Sequence, residues 1–218
     1  MNYDHLYQLF KLLTLSFRYE FLSSSLRRYG GKSVNSNYYK IILKLLHISY
    51  GSNLLLKGCP VIFNKSGATM TIGNGVTIKS SFLSNLVGLY SRTIIVTRSP
   101  EAEIKIGNNV GISGATIYAR KSIIIGDNTN IGGNVKILDN DFHPIEIEAR
   151  NDDNKEKINT RPIVIGKNCF IGCNALILKG TELGDGCVVG AGAVVCGSFL
   201  PNSVIVGNPA KIIKTIDQ

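Results

Sequence analysis

From Ile165 onward an aliphatic residue returns at every sixth position, and that spacing leaves the chain very few folds to choose from. Cut in this phase, residues 165–200 read IGKNCF, IGCNAL, ILKGTE, LGDGCV, VGAGAV and VCGSFL. The openers Ile165, Ile171, Ile177, Leu183, Val189 and Val195 are all aliphatic, and four of the six precede a glycine. The same frame runs through IGNNVG and ISGATI from Ile106, through IGDNTN, IGGNVK and ILDNDF from Ile125, and through IGNGVT from Ile72. Between Ile106 and Ile125 the interval is 19, so one residue is inserted there. A period of six matches neither the helical turn nor simple alternation along a strand. It matches a short strand followed by a turn, three of which close a triangular coil.

Stacked coils of this kind form parallel sheets. The aliphatic opener points into the prism and packs on its equivalent in the next coil about 4.8 Å away. The small residue beside it lets the backbone turn without a Cβ clash. One coil cannot bury its apolar face alone, so several must stack and the ends must be capped.

Two stretches break the frame. From Ile137 to Ile165 the interval is 28, one three-unit coil plus ten residues, and the surplus falls in DNDFHPIEIEARNDDNKEKINTRP. Between Ile78 and Ile104 the frame is lost in KSSFLSNLVGLYSRTIIVTRSPEAE and resumes at Arg92 to Thr97. Loops are expected near 80–92 and 139–161. Residues 1–50 carry no such frame. They read as a helical N-terminal appendage, with Leu6, Leu9, Phe10, Leu13 and Phe17 at helical spacing, then Ile41, Ile42, Leu45 and Leu46, and with Gly30-Gly31 between the two helices. The expected organisation is a helical segment over 1–50, a coil domain over 51–207 and a C-terminal tail over 208–218.

Composition narrows the function classes. A chain of 218 residues with 44% hydrophobic and 18% charged residues has enough apolar material for a core and is not intrinsically disordered. The formal charge is +9, and +6 of it falls in residues 1–58, where eight Lys and Arg face only Asp4 and Glu20. That basic segment is expected either to cap the open prism end or to lie on an anionic membrane surface. Lys11, Arg18, Lys40 and Lys44 interrupt every apolar stretch long enough to span a bilayer. Five cysteines without a C-x-x-C pair, and no secretory leader, point to a reducing cytoplasm, with the inner membrane face as a further possibility. A basic stripe with interleaved aromatics is missing from the coil region, which argues against nucleic acid.

The repeat frame resembles the hexapeptide-repeat, left-handed parallel β-helix family of acyltransferases, and the left hand is implied by that resemblance alone. The fold expected is therefore all-β, a left-handed parallel β-helix with a short helical N-terminal segment and an extruded loop. The resemblance implies acetyl-CoA as co-substrate, no metal and a homotrimer. Such chemistry needs a base to take a proton from the acceptor as it attacks the thioester, and histidine, with an unperturbed pKa of about 6.5, suits that work. Of the three histidines, His5 and His47 lie in the appendage and read as ordinary surface or packed side chains. His143 stands in Asp139-Asn140-Asp141-Phe142-His143-Pro144, which looks like the D-x-D-x-H-P segment carrying the base in polysaccharide O-acetyltransferases. Asp139 and Asp141 are both candidates to orient the imidazole, with Glu146 and Glu148 behind them.

By resemblance to the galactoside and maltose acetyltransferases, the donor contacts fall on Cys173, Ala191, Cys196 and Gly197, with Lys211 and Lys214 meeting the phosphates. The ending NSVIVGNPAKIIK matches the family too. Gly114 stands where those relatives have a sugar-contacting Asn, so free galactosides are doubtful acceptors. Gly184-Asp185-Gly186 with Gly190 and Gly192 fits the hexapeptide phase rather than a dinucleotide loop. Cys169 and Cys187, 18 residues apart, read as stacked core side chains rather than a disulfide. A γ-class carbonic anhydrase, which shares the prism, needs three histidines where the repeat region has only His143. Three readings stand. The first is O-acetylation of a sugar in a surface polysaccharide or lipopolysaccharide precursor, free or lipid-linked. The second is acetylation of a small acceptor, such as an antibiotic, serine or the nitrogen of an amino sugar. The third is a non-catalytic β-helix, which should show a ranked Thr-x-Thr face and does not.

Overall fold

The computed structural model describes residues 34–217, and within them the chain winds through three parallel sheets of seven, eight and six strands. It visits the faces in rotation. One coil places Ser122–Ile125 on the first face, Asn130–Ile131 on the second and Lys136–Leu138 on the third. The following coil places Ile163–Ile165, Phe170–Ile171 and Leu176–Leu178 on the same three faces. Registers align like with like: Ile125 pairs with Ile165, Ile131 with Ile171 and Ile137 with Ile177. These inward side chains are fully buried or nearly so, and they form one continuous core from Tyr39 to Ile205. Cys169 and Cys187 stack within it as free thiols.

The glycine that follows each opener is required by closeness between coils rather than by its own dihedrals. A Cβ on Gly172 would lie 2.5 Å from the backbone nitrogen of Ala191 in the next coil. The left-handed conformation falls two residues later, at Asn109, Asn128, Asn168 and Gly186 on one corner and at Asn134, Asn174 and Gly192 on the next. Asparagine tolerates that region better than other side chains, and here it also bridges coils. Asn109 Nδ2 donates to Asn128 Oδ1 and Asn128 Nδ2 to Asn168 Oδ1, both at 3.2 Å.

The 19-residue interval has a specific origin. Register pairs Ile117 with Ile137 and Ile112 with Ile131, so the step from second to third face is one residue shorter in the earlier coil. The corner from third to first face is correspondingly wider, and its additional residues are Arg120 and Lys121.

Before the coils, helix α1 (Val34–Leu45) buries Tyr39 and Leu43 in the common core. Ile42 and Leu46 pack at its margin, while Ile41 and Leu45 are solvent-exposed. His5, the Leu6–Phe17 set, Gly30-Gly31 and half of the basic surplus of residues 1–58 lie outside the described residues. No helix among the described residues is long and apolar enough to cross a membrane. At the other end, the expected tail is a strand: Ala210–Thr215 pairs antiparallel with Ser203–Gly207 and covers the open edge of the second face.

Candidate functional site

Between Leu138 on the third face and Ile163 on the first, the chain makes a neck and a small helical excursion. Asn140 bridges Thr160, the Arg161 N–H donates to the Asp139 carbonyl at 2.9 Å, and the Asp141 N–H donates to the Asn159 carbonyl at 3.2 Å. Beyond the neck lie helix α2 (Ile147–Asn151), which buries its own Ala149, and a 3-10 turn over Lys155–Lys157 followed by buried Ile158.

His143 leaves this neck on an unusual backbone. Phe142 has φ of 64°, a left-handed conformation that is a genuine outlier for an aromatic residue. Two contacts hold it there. Its N–H donates to Asn140 Oδ1 at 2.9 Å, and its ring sits 4.8 Å from that of Tyr118. The His143 N–H then donates to the Asp141 carbonyl at 2.7 Å, and the imidazole projects into solvent without a hydrogen bond among the described residues. Strain of this sort persists where the surroundings over-determine it, as they do at functional positions.

The structure separates the two aspartates. Asp139 is fully buried, and its carboxylate is committed to the widened corner of the preceding coil. Backbone N–H groups of Arg120, Lys121 and Ser122 donate to it at 2.7–3.0 Å, and Asn140 Nδ2 donates at 3.0 Å. No lone pair is left over for His143. Asp141 is different: Oδ1 pairs with the Lys179 ammonium, and Oδ2 is buried with no hydrogen-bond partner among the described residues. Lys179 comes from the same corner one coil later, and its carbonyl is 3.7 Å from Cys196 Sγ. His143, Asp141, Lys179, Cys196 and Gly197 therefore share one edge of the prism. Glu146 and Glu148 are exposed on the excursion and sit outside that group.

The remaining donor candidates lie on another edge. Cys173 and Ala191 turn the corner from second to third face in successive coils, with the Gly192 N–H donating to the Cys173 carbonyl at 2.9 Å. Open space surrounds both Gly192 and Gly197, where an added Cβ would meet nothing within 4 Å. Lys211 and Lys214 are exposed on the terminal antiparallel strand. A single chain thus holds the two parts of the predicted site at opposite edges of the third face. Among the described residues no three His, Cys, Asp or Glu side chains converge as metal ligands would.

The family description "hexapeptide repeat of succinyl-transferase" matches residues 122–149 and 162–196, the coils on either side of the excursion. Over those two stretches the chain carries hexapeptide repeats of that family's kind. Among its hexapeptide relatives, the galactoside O-acetyltransferase of Escherichia coli is 34% identical over 126 residues, 55% of this chain and 60% of that one. A candidate acetyltransferase of Schizosaccharomyces pombe is 40% identical over 96 residues, 44% of each chain. The matches therefore span about half the length of these curated relatives. Of solved structures, a variant of an N-acyltransferase from Bacillus cereus, in complex with dTDP-4-amino-4,6-dideoxyglucose and coenzyme A, superposes with a TM-score of 0.63 at 22% identity. That alignment covers 83% of this chain and 90% of the other. A galactoside acetyltransferase in complex with coenzyme A gives a TM-score of 0.51 at 22% identity, over 87% of this chain and 74% of that one. Both are likenesses of hexapeptide fold, consistent with left-handed winding.

Within the hexapeptide frame, the residues that sequence reasoning missed are Asn140, Tyr118 and Lys179. The signal for Lys179 was available, since it follows Leu178, the register partner of Leu138, and so stacks beside the DNDFHP segment. Gly114 also gains a reason. Its φ is 55°, and a Cβ there would lie 3.0 Å from the Ser91 carbonyl oxygen and 3.1 Å from Leu89, so segment 81–93 occupies that position.

Proposed function

We propose that the chain is an acetyl-CoA-dependent O-acetyltransferase that acts on a hydroxyl of a sugar in a surface polysaccharide or lipopolysaccharide precursor, with His143 as general base. The supporting observation is the Phe142 backbone, which is held in a costly conformation by Asn140 and Tyr118 and presents the next residue to solvent. One imidazole nitrogen takes the acceptor proton as the hydroxyl oxygen attacks the thioester carbon. The tetrahedral intermediate collapses by breaking the carbon–sulfur bond, and the departing thiolate recovers that proton. Backbone N–H groups of the coil receive the oxyanion, and the Asp141 carboxylate, with an uncommitted buried oxygen, orients the imidazolium.

The homotrimer implied by the resemblance finds support in the same geometry. The His143 edge and the Cys173–Ala191 edge flank the third face, where outward Ile94, Tyr118, Leu138, Leu176, Leu178 and Val194 are half-exposed beside the polar pair Thr116 and Lys136. A homotrimer packs that face and joins the base of one copy to the donor groove of the next. Sedimentation showing a monomer at assay concentration overturns the shared groove.

The direct test is incubation with acetyl-CoA and a panel of soluble and lipid-linked glycans, read by free coenzyme A thiol and by the mass gain of one acetyl group. His143→Ala should lower kcat by about 10²- to 10⁴-fold, the range for a positioned base, with circular dichroism unchanged. Near wild-type turnover in that variant removes His143 from the mechanism. The solved neighbour that binds an amino sugar keeps N-acylation as a second reading. Alkaline lability of the product separates ester from amide.

A further inference from the structure

A cleft of about 460 Å³ opens on the second face, away from the His143 edge. The repeat itself creates it. Outward positions on this face run Thr77, Gly111, Asn130 and Phe170 in one column, and Lys57, Lys79 and Ser113 in the neighbouring one. Gly111 and Gly132 leave the floor without side chains, while segment 81–93 forms a side wall through Asn85, whose Nδ2 donates to Ser113 Oγ at 3.2 Å. Phe170 closes the far end and is 52% exposed.

Lys79 lines the near end of the cleft, and Lys57 stands one strand beyond the lining. Lys57 and Lys79 are direct register partners on adjacent parallel strands, which sets them about 4.8 Å apart at the backbone. None of the ion pairs among the described residues involves either of them. Like charges stacked in this way repel, and a bound anion relieves the repulsion. Beyond the lysines come the polar groups of Thr77, Asn85, Ser113 and Asn130, and three coils below Lys79, roughly 14 Å along the axis, the exposed ring of Phe170.

Resting on the acyltransferase reading above, we infer that this cleft binds the acceptor as a nucleoside-diphosphate sugar, with the diphosphate at Lys57 and Lys79 and the base against Phe170. The order cation pair, polar floor, exposed ring matches a diphosphate, a ribose and a flat base in length and chemistry. Through Gly132, whose missing Cβ would lie 2.8 Å from the Cys173 nitrogen, the cleft adjoins the proposed donor edge. Acceptor and thioester then meet on one side of the molecule.

Isothermal titration of the full chain with UDP, dTDP, GDP, inorganic pyrophosphate and coenzyme A, without acetyl donor, tests the inference independently of catalysis. At least one nucleoside diphosphate should bind, and more tightly than pyrophosphate. Lys79→Ala should weaken it about 10- to 100-fold, the loss of one charge-assisted contact. Phe170→Ala should weaken the nucleotide and leave pyrophosphate unchanged, and coenzyme A affinity should stay the same in both variants. Four results overturn the assignment: no nucleoside diphosphate binds; both variants bind as the parent does; pyrophosphate binds as tightly as the nucleotides, which points to a lipid pyrophosphate; or coenzyme A competes and is lost with Lys79, which makes the cleft the donor site. Intact nucleotide binding in a chain that never releases coenzyme A thiol overturns the acyltransferase reading and leaves the cleft standing.

Discussion

Asp139→Ala should behave as a stability variant. Its carboxylate is buried and receives the N–H groups of three consecutive residues, Arg120 to both oxygens and Lys121 and Ser122 to Oδ2. A hydrogen bond to a charged group contributes about 1.5–3 kcal/mol net. Lys121 is exposed, so water replaces part of that loss, and a total of about 3 kcal/mol is expected. For a chain of this size each kcal/mol moves Tm by about 2–4 °C, which gives a drop of about 6–12 °C. Asp139→Asn should forfeit at least half as much, because an amide NH2 would face the Lys121 and Ser122 donors in place of an acceptor. The assay is thermal unfolding followed by circular dichroism, alongside turnover with saturating acetyl-CoA. A Tm change below about 2 °C, or an unchanged Tm with turnover collapsed, refutes the anchoring role and returns Asp139 to candidacy as the carboxylate that orients His143.

Other perturbations report on other parts of the same architecture. Gly172→Ala pushes a methyl to 2.5 Å from the Ala191 nitrogen, and the coil stack must open to admit it. A loss of about 2–3 kcal/mol in chemical unfolding is expected, in the range for overpacked cores, and a neutral result would mean that the coils are not held at this spacing. Thiol labelling at neutral pH should modify exposed Cys196 first and half-exposed Cys173 more slowly, with Cys59, Cys169 and Cys187 reacting only in denaturant. Coenzyme A should protect Cys173 and Cys196, and labelling unaffected by the donor argues against both contacts. Burial raises the Cys169 thiol from 9.0 to about 11 and also raises Cys187. Since the unfolded thiols lose their protons first, the folded chain holds more protons as pH climbs from 9 toward 11, and stability falls there. Cys169→Ala should flatten that part of the Tm–pH curve.

Much of this molecule is legible because the core asks for little per coil: one inward aliphatic per face, at Ile125, Ile131 and Ile137 and again at Ile165, Ile171 and Ile177. Spacing of six states that demand directly. What spacing cannot state is which side chain fills a corner once the corner changes length. Asp139 and Asp141 look equivalent in DNDFHP, and only the coil above distinguishes them. There, Arg120 and Lys121 widen the turn and present N–H groups that need an acceptor, and Asp139 is in reach. The 19-residue interval was the visible trace of that demand, yet it carries no indication of which corner absorbed the extra chain. The strand form of the C-terminal tail was illegible for a related reason: an exposed sheet edge recruits the next available strand, and AKIIKT is in reach whatever its period. Perfect repetition would give every coil the same surface and no coil a site. His143 opens the longest break in the frame, the second-face cleft borders the other break at Asn85, and the wide corner holding Asp139 is the smallest of the three. Chemistry in this fold is therefore to be sought where the count of six fails, and substitutions at those breaks should change turnover or binding where equivalent changes at regular corners change stability alone.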